Sequence, residues 1–89
     1  MLEIEYSNQF KKDFKKARKL PLLELKIIFD VISSLEKEQV LDEKLKDHEL
    51  SGNWASYREC HIKPDLLLIY QVENSTLKLA RLGSHSELF

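Results

Sequence analysis

This chain is short of most of the features that pin a small fold together from outside. It has a single cysteine, Cys60, in 89 residues. No intramolecular disulfide can therefore form, which suits a reducing compartment. Glycine and proline number two each, and no repeat or low-complexity tract is present. Long apolar runs are missing too. The longest, Leu66 to Tyr70, is far shorter than the roughly 20 residues a membrane-spanning helix needs. Met1-Leu2-Glu3-Ile4-Glu5-Tyr6 places acids where a signal peptide carries basic residues, so a soluble, cytoplasmic protein is expected. The charge surplus of a generic nucleic-acid binder is absent as well: 14 basic side chains face 15 acidic ones, a net charge of −1. Length sets a further limit. A single domain, residues 1–89, buries only about 60 to 65% of the surface its unfolded form exposes. A large cofactor has no room in so thin a core, so none is expected, and a site belongs on the surface within reach of a macromolecule.

What the chain does have is uneven charge. Lys11, Lys12, Lys15, Lys16, Arg18 and Lys19 crowd one segment, interrupted only by Asp13. Acids collect at Glu36, Glu38, Asp42, Glu43, Asp47 and Glu49. The basic run is either a solvated helix face or the electrostatic footprint of a polyanion such as RNA.

Periodicity gives the elements. Leu2, Ile4 and Tyr6 alternate with Glu3 and Glu5, the signature of a short strand with one buried face. Ser7 or Asn8 caps a helix in which Phe10, Phe14 and Ala17 share a side. Pro21 ends it near Lys19 and opens a second helix, whose apolar stripe is Leu25, Ile28, Val31, Ile32 and Leu35. From Lys37 to Glu49 the pattern is lost, and a connecting loop is expected. Ser51-Gly52-Asn53 turns the chain into strands over Trp54–Lys63, Leu66–Val72 and Thr76–Leu82. The order β-α-α-β-β-β predicts an α+β fold, with an N-terminal helical hairpin packed on one face of a mostly antiparallel sheet.

All three histidines fall in the second half, at His48, His61 and His85. Histidine titrates near neutral pH and suits general acid–base work. Strand phase puts Tyr57, Glu59, His61 and Lys63 on one side, with Arg58, Cys60 and Ile62 on the other, toward the helices. His61 then stands on the open face, and Asp65, in the next turn, is placed to orient an imidazole. Arg81 either forks onto phosphate oxygens, as a stabiliser of a negatively charged phosphorane, or pairs with Glu59 or Asp65. Gly83 permits a bend that brings His85 round. Metal is not expected: Cys60 and His61 point to opposite faces, and no close-spaced ligand pair occurs.

Asp47-His48-Glu49-Leu50-Ser51-Gly52-Asn53-Trp54, the run from Tyr57-Arg58-Glu59-Cys60-His61 through Pro64-Asp65 to Ile69-Tyr70, and Arg81-Leu82-Gly83-Ser84-His85-Ser86-Glu87-Leu88-Phe89 fit DHxLxGxW, YRxxHxxPDxLLIY and RxGxHxxLF. The chain thus resembles the YafQ branch of the RelE/ParE toxin superfamily over nearly its whole length. That resemblance implies a RelE-like fold and the toxin of a bacterial type II toxin–antitoxin pair, an endoribonuclease that cuts messenger RNA, commonly on the ribosome, without a metal. Its partners would be mRNA, the ribosome and a cognate antitoxin. The implied catalytic set is His48, His61, Asp65, Arg81 and His85. Glu59 stands where an aspartate is common, and Phe89 matches the family's terminal aromatic. By the same resemblance, His85 is expected as general acid and His48 or His61 as general base. The alternative is a non-nucleolytic ParE-like toxin or an interaction module on the same fold.

Overall fold

In the computed structural model, which describes residues 1–89, the chain runs β1 (Glu3–Tyr6), α1 (Asn8–Ala17), α2 (Leu22–Glu36), β2 (His48–Glu49), β3 (Arg58–Lys63), β4 (Leu66–Glu73), β5 (Thr76–Gly83) and α3 (His85–Leu88). Single turns of 3-10 helix occupy Glu43–Leu45 and Gly52–Trp54. The five strands form one sheet in the order β1-β5-β4-β3-β2. Only β1 pairs in parallel, with β5; the other pairings are antiparallel.

Ser7 is the N-cap of α1: its extended backbone lets the hydroxyl accept from the Phe10 N–H at 2.9 Å. Such a cap contributes about 1 kcal/mol. Pro21 occupies the cap position of α2, where its missing N–H costs nothing. The two helices lie on one face of the sheet. Phe10, Ile28, Val31, Ile32 and Leu35 meet Cys60, Ile62, Leu68, Tyr70, Leu77 and Leu79 there. Each large side chain fully buried in this way contributes about 1.5–3 kcal/mol. The expected phase of β3 therefore holds, with Cys60 and Ile62 toward the helices.

Several local expectations are corrected. The charged stretch before Glu49 is not all loop. Asp42 caps a helical turn by accepting from the Lys44 N–H at 3.0 Å, and His48–Glu49 add an edge strand to β3. Asp47 anchors this stretch by accepting from Tyr70 Oη at 2.6 Å and Arg58 Nε at 3.2 Å. The strand expected over Trp54–Lys63 starts only at Arg58, because Gly52–Trp54 coils and Ser56 takes a φ of 75°, a left-handed conformation that ends extended backbone. The hairpin keeps to one face as expected, and α3 is a further helix, unforeseen in the sequence, on the other. A smaller cluster of Leu67, Ile69 and Leu88 lies on the second face with Leu50, Trp54 and Tyr57, and Leu88 brings α3 onto it. No helix is long and apolar enough to cross a membrane.

Candidate active site

The second face carries the candidate site. Cross-strand register puts His48 opposite Glu59, Glu59 opposite Ile69 and Ile69 opposite Arg81. Paired residues share a sheet face, so the edge strand that the sequence did not reveal is what brings His48 beside Glu59. His61 stands two residues along β3 from Glu59, on the same side. Beyond β5 the chain turns at Gly83 and Ser84 into α3. Ser84 caps that helix by accepting from the Glu87 N–H, while Glu87 accepts from the Ser84 N–H at 2.9 Å. This reciprocal box fixes where His85 emerges.

Four rings then form a row. Centroids of His48 and His61 are 5.9 Å apart, those of His61 and His85 5.7 Å, and those of His85 and Phe89 6.4 Å. His48, His85 and Phe89 are exposed, and His61 is half-buried. Each imidazole has a distinct partner. His48 Nδ1 lies 2.7 Å from the Lys46 carbonyl, which only accepts, so Nδ1 carries the proton. Glu59, buried on a face expected to be open, reaches both neighbours through one oxygen: Oε1 is 3.1 Å from His61 Nε2 and 3.5 Å from His48 Nε2. Asp65 serves His85 rather than His61. Its Oδ1 accepts from the His85 N–H at 2.9 Å and lies 3.1 Å from His85 Nδ1. Those two hydrogen bonds hold the Asp65 carboxyl below the ordinary aspartate range. The pairing fixes the His85 tautomer and leaves Nε2 outward.

Arg81 departs from its expectation. Its partner is neither Glu59 nor Asp65 but Asp13, the one acid in the basic run of α1. Nε donates to Asp13 Oδ2 at 2.8 Å and Nη2 to Oδ1 at 3.3 Å. A bulge explains the direction. Tyr70 pairs with Leu79 and Ile69 with Arg81, so Ala80 is the extra residue, and the strand twists there.

Basic side chains border this row at His61. An open groove of about 550 Å³ beside His61 is rimmed by Lys44, Lys46 and Lys63. Lys63 is tied to Glu24, which leaves Lys44 and Lys46 as cations that the sequence pattern did not single out. Their signal was weak: two lysines in an acidic stretch whose turn at Glu43–Leu45 was not foreseen. Lys11, Lys12, Lys15, Lys16, Arg18 and Lys19 are all exposed; Lys16 reaches a carboxylate, Glu87 of α3, at 3.8 Å. The donor atoms of His48, Glu59 and His61 lie within 4.8 Å of one another. Ligand spacing along the chain does not reveal that grouping, because cross-strand pairing creates it.

The family model described as bacterial toxin of type II toxin-antitoxin system, YafQ, matches residues 2–89. The mRNA interferase toxin YafQ of Escherichia coli K12 is 37% identical over 87 residues, 98% of this chain and 95% of the relative. Among solved structures, a metal-bound toxin from Helicobacter pylori superposes with a TM-score of 0.90 at 50% identity, over the whole of both chains. The toxin of the E. coli DinJ-YafQ complex gives a TM-score of 0.82 at 36% identity, over 100% of this chain and 99% of that one.

Proposed function

The chain belongs to the YafQ family of bacterial type II toxin–antitoxin toxins, and on that footing we propose that it is a metal-independent endoribonuclease that cuts messenger RNA on the ribosome. The observation that carries this reading is the row His48–His61–His85–Phe89, with a carboxylate at Glu59 and another at Asp65. In the proposed reaction a ribose 2′-OH attacks the adjacent phosphorus, the P–O5′ bond breaks, and a 2′,3′-cyclic phosphate and a free 5′-OH result.

Two protons must move. His61 takes the one from the 2′-OH; the Glu59 contact favours its proton on Nε2 and leaves Nδ1 as the basic nitrogen. His85 returns a proton to the leaving 5′ oxygen, with Asp65 stabilising its imidazolium as an aspartate does in a catalytic triad. Rings 5.7 Å apart are close enough to serve both oxygens of one phosphodiester. His48 shares Glu59 with His61 and supports the base. Arg81 neutralises the phosphorane. Phe89, 60% exposed, is free to stack on an unpaired base, worth roughly 1 to 3 kcal/mol. Lys44, Lys46 and the α1 cations hold the phosphate backbone, and a cognate antitoxin blocks that basic surface. Alanine at His61 or His85 should each lower single-turnover cleavage of ribosome-bound message by about 10²-fold or more; wild-type rates in both would sink the assignment.

A second reading has its own observation, the converging donors of His48, Glu59 and His61. Two imidazoles and a carboxylate suit Zn²⁺ or Cu²⁺. An ion there takes Glu59 and the two Nε2 atoms, displacing the Nε2 proton of His61 and placing positive charge against the base, so it acts as an inhibitor and not as a cofactor. Added zinc should slow cleavage, EDTA should restore it, and His48→Ala should blunt the inhibition. Zinc bound tightly with the rate unchanged would contradict this.

A further inference from the structure

Asp13 is the most thoroughly engaged carboxylate in the molecule, and it lies far along the chain from the catalytic histidines. It is 9% exposed, on the inner face of α1 with Phe10 and Ala17. Besides the two bonds from Arg81, its Oδ2 accepts from the Leu82 backbone N–H at 3.0 Å. The need for that acceptor follows from topology. β1 ends at Tyr6 beside Leu79, so the last part of β5 has no strand on that edge. Ser7 Oγ satisfies the Ala80 carbonyl at 2.8 Å, and Asp13 satisfies Leu82. An acceptor for one backbone N–H does not by itself need a charge. The guanidinium supplies the second reason for a carboxylate here.

We propose that Asp13 is a positioning residue for the nuclease reaction: it holds Arg81 by one edge so that the remaining N–H groups face the scissile phosphate. The inference rests on the nuclease reading above. Nε and Nη2 are committed to Asp13, and Nη1 is the nitrogen left for substrate. A long, flexible arginine is thereby reduced to one orientation before RNA arrives, and preorganised charge is what stabilises a phosphorane. The bulge at Ala80 makes the arrangement possible, because it turns Arg81 toward the sheet edge that α1 follows. The arrangement also links the basic helix that meets the RNA backbone to the residue that meets the reacting phosphate.

The test is a double-mutant cycle on ribosome-bound message with Asp13→Asn and Arg81→Ala. Asparagine keeps an oxygen for the Leu82 N–H and removes the charge. In the wild-type background Asp13→Asn should lower kcat by about tenfold or more with KM within about twofold, since a misplacement of about 1 Å can cost 10²-fold. In the Arg81→Ala background the same change should lower kcat no further. Asp13→Glu, which keeps the charge, should recover part of the loss. The Arg81 Nε–H resonance, protected by the pair, should shift and exchange faster in Asp13→Asn while the remaining amide spectrum stays folded. Equal losses in both backgrounds, or wild-type kcat in folded Asp13→Asn, would overturn the assignment. If Arg81→Ala itself cleaves at the wild-type rate, or the wild-type chain does not cleave, the nuclease role of Arg81 fails and this inference falls with it.

Discussion

At the scale of single residues, the same buried carboxylate also makes a prediction about stability. Burial pushes the Asp13 carboxyl up, but the hydrogen bonds from Arg81 and Leu82 outweigh it and hold the group below its ordinary range. A lowered folded-state value means that the unfolded chain binds the proton first as pH falls. Stability from this group is therefore fully present above about pH 3.9, the ordinary aspartate value, and is lost as pH drops through the lower folded-state value. Denaturant titrations of Asp13→Asn should show a loss of about 1 to 3 kcal/mol at neutral pH and a flatter acid limb than the parent. An acid limb of unchanged steepness would contradict the pairing. Cys60 supplies the opposite case. Burial, with Asp47 and Glu59 nearby, pushes its thiol up to about 12, so an alkylating reagent should modify it only at the rate of global unfolding. The role of Asp13 was half legible in the sequence. It shares helical spacing with Phe10 and Ala17, which marks a buried face, but its partner lies 68 residues away, and no local pattern records that.

At the scale of elements, α3 has four residues, too few to stand alone. Its capping box and Leu88 hold it against the sheet. Ser84→Ala should cost roughly 1 kcal/mol locally, quicken hydrogen exchange at Leu88 and Phe89, and lower cleavage through a loosened His85 while thermal unfolding moves little. Unchanged exchange at those amides would show that the box is not what orders the segment. Gly83 is similarly constrained: a Cβ there would come within 3.0 Å of Glu87 Oε1. The long elements α1, α2, β4 and β5 were readable because apolar side chains recur at helical or alternating spacing. The short ones were not. A two-residue β2 is too brief for any period, and its order comes from pairing with β3 and from Asp47 bonds to Arg58 and Tyr70. The bulge left a fainter trace: Leu77, Leu79 and Leu82 break alternation by one residue, and all three face the helices.

At the scale of the whole molecule, a net charge of −1 coexists with one strongly basic helix face, for which RNA and ribosome binding are proposed. Replacing Lys11, Lys12 and Lys15 with glutamine should weaken association and reduce the salt slope by about 0.7 to 0.9 for each phosphate no longer neutralised. The cleavage step at saturating ribosome should stay unchanged. An unaltered slope would reduce those lysines to a solvated surface. The site's composition was legible from residue types and motif order, whereas its connectivity was not: which carboxylate serves which histidine depends on cross-strand register and on where α3 points. The most direct test of the nuclease claim is to characterise the RNA ends produced on ribosome-bound message in the presence of EDTA, comparing the parent chain with His85→Ala. The parent should yield 2′,3′-cyclic phosphate and 5′-OH termini, undiminished by EDTA, and His85→Ala should cut more slowly by about 10²-fold or more. Cleavage that EDTA abolishes, or a His85→Ala chain that cuts as fast as the parent, would contradict it.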